Sequence, residues 1–417
     1  MFGAMAVSTF SPFRHRDYLL YWTGNFISNI GTWMETIALG AFVAETTGKA
    51  FWSGIIAAAG FVPSGLLSPI GGVVADRFAR KPVLLIATLL QTVGAGILCI
   101  LAFQSNLRPG IIAVVVFLSG AASALAFPAY QSIVRDLVPP EEVTAAIGLG
   151  SAQWNLGRVI GPALAGLVIA VGSIGWALLI NTISFFAVVV TLLLIAIPPA
   201  IRGAADSGIW RAMSRGFSFV RREPGLWVST QAMLLNTFLA APFIGLVPAM
   251  AHKVLGGGKG TVSALVTCQG VGAVLGALTV APLTKRHGNR WMLHVVMIGM
   301  PLALIAYGYG SRFGLVPTGA ALAVLGGLYM MALITFSTAA QTRAPAALRG
   351  RVVSVNTTIL GIVYPAGALL QGALGDRFGL GQITALAGLV FAAVIMAVRL
   401  VQPRFTGALG APATLAA

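Results

Sequence analysis

The sequence predicts an all-α membrane protein of twelve transmembrane helices in two pseudo-symmetric six-helix bundles. Three observations predict it. Only 9% of the 417 residues are charged and 58% are hydrophobic, where a soluble chain is about a quarter charged. The apolar residues gather in twelve runs, and a helix needs about 20 such residues to cross the hydrocarbon core. The two halves echo each other at an offset of roughly 205–210 residues. A bilayer admits only helices or closed barrels, and the runs are continuous rather than alternating, which excludes barrel strands.

The runs fall at 18–46, 52–75, 82–103, 110–134, 143–171, 174–197, 224–249, 262–283, 291–310, 314–341, 352–374 and 380–400. The first is too long for a cleavable leader and reads as a span that stays. Trp22, Trp52 and Trp227 read as interfacial anchors. The third and eighth runs hold the two cysteines, Cys99 and Cys268, which read as small buried hydrophobes rather than metal ligands or a disulfide. The longest polar break, 198–223, opens with Pro-Pro, carries five arginines and separates the first six runs from the last six. Its middle is either a short amphipathic helix on the membrane surface, with Trp210 and Phe217 towards lipid, or a solvated linker. The expected organisation is a bundle at 1–197, a cytoplasmic linker at 198–223 and a bundle with a short tail at 224–417.

The formal charge is +16. With the N-terminus inside, 19 of the 26 Lys/Arg fall on cytoplasmic segments, six on outside loops, and Arg158 inside a span. That asymmetry is the positive-inside rule, and it predicts an inner-membrane protein with both termini cytoplasmic. No aromatic-interleaved basic patch suggests nucleic acid. The internal echo pairs Trp22 with Trp227, 129–132 with 339–342, and 76–81 with 285–290. Parallel repeats of this kind are one architecture of secondary transporters, with substrate near mid-membrane between the halves.

Two ionisable side chains lie deep in spans, Glu35 in the first and Arg158 in the fifth. Each sits about 20–25 Å along its helix at 1.5 Å per residue, and a mid-membrane charge costs roughly 2.5–3.5 kcal/mol on insertion scales. Both lie in the same half, so the sequence suggests that they meet. Burial favours the neutral carboxyl and a neighbouring arginine favours the charged one. A carboxyl held between those influences can load and release a proton as its access changes. The other reading is a static pair joining the two helices. The histidines 15, 252, 287 and 294 do not cluster, so no metal site is expected. "GGGKGT" at 256–261 fails as a phosphate loop, because Lys253 and Gly260 stand where a glycine and a Ser/Thr are required. No cofactor, no ATP and no enzymatic activity are expected; energy would come from an ion or substrate gradient.

"GVVADRFARKP" at 72–82 joins the second and third spans. Its Gly72, Asp76, Arg77, Arg80 and Lys81 resemble the signature loop of the major facilitator superfamily, and the resemblance implies a conformational latch. Gly72 would let helices approach, and the cations suit helix ends and headgroups. Lys285 replaces the aspartate in the second copy. "NLGRVIGPALAG" at 155–166 continues the resemblance. Gly157, Gly161, Pro162 and Gly166, with Gly148 upstream, are similar to the fifth-helix motif of superfamily exporters, with Ala165 at one expected glycine. The expected result is a bendable seam between the halves, answered on the eighth span by Gly272 and Gly276 at GxxxG spacing. The stretches 13–39, 134–149 and 341–355 resemble the enterobactin-exporter-like branch, which includes macrolide efflux proteins. The fourth span lacks the arginine that many proton antiporters carry there.

The resemblance covers nearly the whole chain. It implies a monomeric, alternating-access exporter of small amphipathic molecules, such as a siderophore-like compound, drug or metabolite, in exchange for protons. It places Asn25, Asn29, Trp33, Gln231 and Asn236 on the cavity wall, to which Gln341 is added by its polarity. The alternatives are a facilitator or importer of a polar nutrient and a non-transporting scaffold. The fifth-span motif and the lack of a densely polar second half argue against the first, and the lack of a soluble domain against the second.

Overall fold

The computed structural model describes residues 9–196, 209–345 and 348–401. Among them every regular element is helical. The first group is α1 (Arg16–Thr47), α2 (Ala50–Arg77), α3 (Arg80–Phe103), α4 (Pro109–Leu137), α5 (Val143–Val171) and α6 (Ile174–Leu194). After 197–208, outside the described residues, come α7 (Ile209–Arg222), α8 (Pro224–Leu235), a π-helical turn Asn236–Ala240 and α9 (Phe243–Lys253). They are followed by α10 (Lys259–Gly310), α11 (Leu315–Arg343), α12 (Arg349–Phe378) and α13 (Leu380–Val401). The described part of the break at 198–223 is thus helical, as α7.

Among the described residues ten helical segments are long and apolar enough to cross a bilayer. The expected eighth and ninth spans run on as one segment, Gly260–Phe313, of 54 residues. Their join is Gly288, at φ 82° and ψ 165°, a region glycine enters without steric cost. The fifth expected span is the 29-residue α5.

The chain divides into two compact units, Met1–Leu39 with Leu67–Asp206, and Gly40–Leu66 with Ser207–Ala417. The cut near residue 206 falls inside the expected linker. The transfer of 40–66 does not follow from the sequence: adjoining ends of α1 and α2 belong with the second half.

In the first unit α1 packs against both α5 and α6. It runs parallel to α5 in a constant register of 127–128 residues: His15 Nε2 lies 3.0 Å from Glu142 Oε2, Tyr18 donates to Ala146 O at 2.9 Å, and Trp22 donates to Leu149 O at 3.0 Å. The glycines of α5 continue that register, because a Cβ on Gly157 would lie 2.9 Å from Asn29 Cβ, and one on Gly161 2.6 Å from Trp33 Cβ. On another side α1 meets α6 antiparallel, Gly24 against Thr191 and Gly31 against Ser184 and Asn181. Small residues let backbones approach where lipid supplies no hydrophobic drive.

In the second unit the freed carbonyls of the π turn are satisfied from α12: Gln371 Nε2 donates to Phe238 O at 3.3 Å and Leu239 O at 2.9 Å. Buried Glu223 caps α8 by accepting from the Leu226 amide, and Arg343 at the end of α11 donates to it at 2.8 Å. Residues 50–66 lie along α12, where a Cβ on Gly54 would be 2.8 Å from Ala368 O and one on Gly361 would strike Gly65 N.

Asp376 closes that contact. It sits in the last turn of α12, where its own helix carbonyls disfavour an anion. The stabilisation comes from elsewhere: its carboxylate accepts from the first two amides of α2, Ala50 at 2.8 Å and Phe51 at 2.9 Å, and from Lys253 Nζ at 2.5 Å. Helix N-terminal amides have no partner in their own helix, so this carboxylate is the N-cap of α2. Asp376→Asn is expected to raise hydrogen exchange about tenfold at the amides of 50 and 51 while leaving α13 unchanged. Unchanged protection in a 48–56 peptide would remove the capping role.

Candidate functional site

Rotation about α1 decides what its polar residues can do. Successive residues turn by about 100°, so Trp22, Phe26, Asn29 and Trp33 form one stripe, and Glu35 stands about 200° round from Trp33. The Glu35 face is closed by α6. Glu35 Oε2 accepts from Asn181 Nδ2 at 2.5 Å, and Ser184 donates to Asn181 Oδ1 at 3.1 Å and to Asn181 O at 2.7 Å. Asn181 and Ser184 are fully buried. The serine occupies the amide oxygen, so the amide presents its N–H to the carboxyl.

The Trp33 face is covered by α5. The Arg158 guanidinium carbon lies 5.4 Å from the Trp33 ring centroid. The Trp33 and Trp154 rings are 5.8 Å apart at 66°, and Trp22 stacks on Phe26 at 5.1 Å. The two intramembrane charges thus belong to nearly opposite faces of α1: the sequence suggests that Glu35 and Arg158 meet, and the structure gives each a different partner.

The remaining expected cavity residues divide. Asn29 is half-buried against Gly157, while Asn25 is buried and donates to Tyr21 O of its own helix at 2.7 Å. Gln341 is exposed and donates to Ser337 of its own helix. Gln231 is half-buried. Asn236 opens the π turn, and its side-chain oxygen is buried with no hydrogen-bond partner.

In the expected gating loop, the side chain of Asp76 lies outside the described residues, and Arg77 is exposed. Arg80 pairs with Asp136 at the end of α4, and Lys81 donates to Leu193 O at 3.1 Å and Ile195 O at 2.9 Å at the end of α6. These cations therefore tie together helix ends within the first unit. Gly72 does not make the close approach expected of it, since a Cβ there would have no neighbour within 4 Å. Gly71 makes it, 2.7 Å from Ala124 O, because it is turned 100° round the helix.

The glycines expected at a seam between the fifth and eighth spans make contacts inside their own units. Gly157 and Gly161 pack on α1. Gly272 and Gly276 pack on α11, where an added Cβ would strike Ala323 O and Gly327 O. Gly166 is buried, and the side chain of Pro162 lies outside the described residues. Each glycine row thus joins helices within its own unit. Sequence reasoning passed over Asn181, Ser184 and Asp376. Two signals were present: a span carrying an asparagine, and the Asp-Arg-Phe of 76–78 repeated at 376–378.

The family model described as transmembrane secretion effector matches residues 7–411. Macrolide efflux protein A of Streptococcus pyogenes is 24% identical over 378 residues, covering 88% of this chain and 91% of that protein. The staphyloferrin A transporter of Staphylococcus aureus is 24% identical over 374 residues, covering 88% and 92%. Among solved structures, a nucleoside transporter is similar in fold, with a TM-score of 0.77 at 14% identity over 92% of this chain and 99% of that one.

Proposed function

The chain belongs to the transmembrane secretion effector family of the major facilitator superfamily, and on that premise we propose that it exports a small amphipathic molecule across the inner membrane in exchange for protons, with Glu35 as the proton carrier. It is a multi-pass membrane protein of an efflux-transporter family, not an enzyme. Support for export comes from the efflux proteins among its relatives and from the glycine-proline pattern of α5. Support for cytoplasmic termini comes from the excess of Lys/Arg on the segments that would then face the cytoplasm.

The observation that carries the proton reading is the half-buried carboxyl of Glu35 held by Asn181 at 2.5 Å. A carboxyl within a span is costly, and such residues mark ion or proton pathways. The partner shown here is a neutral amide rather than a fixed cation. The carboxyl can therefore take up a proton without leaving an unbalanced buried charge beside it, unlike one partner of a tight ion pair. Alternating access would carry it between the two sides of the membrane.

Inside-out vesicles acidified by respiration and loaded with a pH-quenched dye test this. Candidate amphiphiles, a macrolide and a carboxylate siderophore among them, are expected to restore fluorescence in the wild type and not in Glu35→Gln. Substrate-driven proton release that persists in the variant would remove Glu35 from the coupling.

A further inference from the structure

We propose that the adjoining ends of α10, α12 and α13 form a binding site for an anionic phospholipid of the surrounding bilayer. α10 and α13 cross antiparallel there on small residues. A Cβ on Gly308 would lie 2.5 Å from Gly381 O, and one on Gly388 2.8 Å from Pro301 O. With no side chain at Gly308 and Gly381, both of which line it, the crossing leaves a groove of about 520 Å³. Small-molecule sites run from about 300 to about 1,000 Å³. The walls are Tyr309 at the end of α10, Arg312 just beyond it, Phe378 of α12, and Gln382, Leu386 and Leu389 of α13.

The lining is ordered as a lipid is, polar at one end and apolar along its length. Arg312 and Gln382 stand where the spans end, since two apolar segments stop at Phe313 and Phe378 and the last begins at Leu380. Leu386 and Leu389 continue the same face of α13 at helical spacing. They reach about 10 Å further along the helix than Gln382, at about 1.5 Å per residue. Tyr309, Phe378, Leu386 and Leu389 are each about half exposed. Apolar and within spans, these surfaces suit hydrocarbon rather than water. A tail laid along Leu386 and Leu389 therefore puts its headgroup at Arg312 and Gln382.

The headgroup preference comes from charge. The Arg312 guanidinium carbon lies 5.1 Å from the Tyr309 ring centroid, a cation–π contact at the mouth of the groove. The Arg312 side chain is exposed, and tyrosine itself suits the membrane interface. The guanidinium fork matches phosphate oxygens. Among the described residues lining the groove none is acidic. Asp376, two residues before Phe378, is turned instead to Lys253 and the first amides of α2. A zwitterionic headgroup brings an ammonium beside its phosphate, which Arg312 repels; an anionic headgroup brings no cation. With both termini in the cytoplasm, this end of the second unit meets the outer leaflet. The site is independent of Glu35 and of the export reading.

The full chain, purified and delipidated in detergent, is titrated with dioleoyl phosphatidylglycerol or dioleoyl phosphatidylcholine. Native mass spectrometry counts bound lipids, and the melting midpoint is read alongside. The first phosphatidylglycerol is expected to bind about fivefold tighter than the first phosphatidylcholine, as one cation at a membrane surface is worth, and to raise the midpoint further. Arg312→Gln should erase that gap and leave phosphatidylcholine unchanged; Arg312→Lys should keep part of it. Arg108→Gln, which removes an exposed arginine of the first unit, should keep all of it. Leu386→Trp, filling the groove from an exposed position, should weaken both lipids. Equal binding of the two lipids by wild type, a gap that survives Arg312→Gln, or unchanged binding in Leu386→Trp would overturn the site. Inorganic phosphate that raises the midpoint as far as the lipid would assign Arg312 to a free anion. A lipid-free dimer that Leu386→Trp splits would assign the groove to a second copy of the chain. Either result would also overturn the lipid site.

Discussion

Arg343→Ala is expected to lower the melting midpoint of the detergent-solubilised protein by several degrees, at a cost of about 3–5 kcal/mol. Its partner Glu223 has a side chain only 1% exposed, and Arg343 donates to it at 2.8 Å. Removing the arginine strands a carboxylate between α8 and α11 in a cluster formed by Val220, Leu226, Ala340, Ala344 and Val352. The stranded group cannot reach water without moving the start of α8, which it also caps through the Leu226 amide. Thiol-reactive dye melting checks this, since both cysteines are free and Cys99 is buried until unfolding. Glu223→Gln should cost less, because it keeps a capping acceptor and leaves no buried charge. The pair Arg343→Met with Glu223→Leu should recover much of the loss, since burying two matched charges is itself expensive. An Arg343→Ala midpoint equal to wild type would show that the pair contributes no net stability.

The second large effect is expected at Gly272. A Cβ there would strike Ala323 O and lie 2.5 Å from its carbonyl carbon. The obstacle is backbone, so no change of rotamer relieves it, and α10 must move away from α11. One turn on, Gly276 is in the same position against Gly327. Gly272→Val is expected to cost about 1–3 kcal/mol from overpacking alone, and more as the two helices lose the close contact that holds them in lipid. The yield of monodisperse protein and its melting midpoint should both fall. Gly260→Ala, at the start of the same helix with no neighbour within 4 Å of its added Cβ, should melt at or slightly above wild type. Equal midpoints for the two variants would mean that the α10–α11 contact is not tight.

Much of the fold was legible because membrane insertion depends on local sums. A run of about 20 apolar residues is a span whatever surrounds it, and loop cations orient it within a short distance of its ends. The α5 glycines were legible as a packing face for the same reason: a small residue every turn leaves a flat stripe on whichever helix it lies. Glu35 was legible as costly, and so as a candidate, from its place in the run alone.

What the run does not encode is which neighbour each stripe meets. Glu35 and Trp33 are two residues apart, and rotation sends one to Asn181 of α6 and the other to Arg158 of α5. Gly71 and Gly72 differ by one residue, and only the first touches α4. Gly272 and Gly276 read as a seam for the fifth span and are spent on α11. Asp376 meets amides 326 and 325 residues away. From its own sequence this protein is a multi-span helical transporter with a charged residue in each of two early spans. Tertiary packing decided that those charges face opposite sides of α1. The reason is that partner choice follows the rotation and lateral order of helices, which turn through 100° with every residue and are set by contacts remote in the chain.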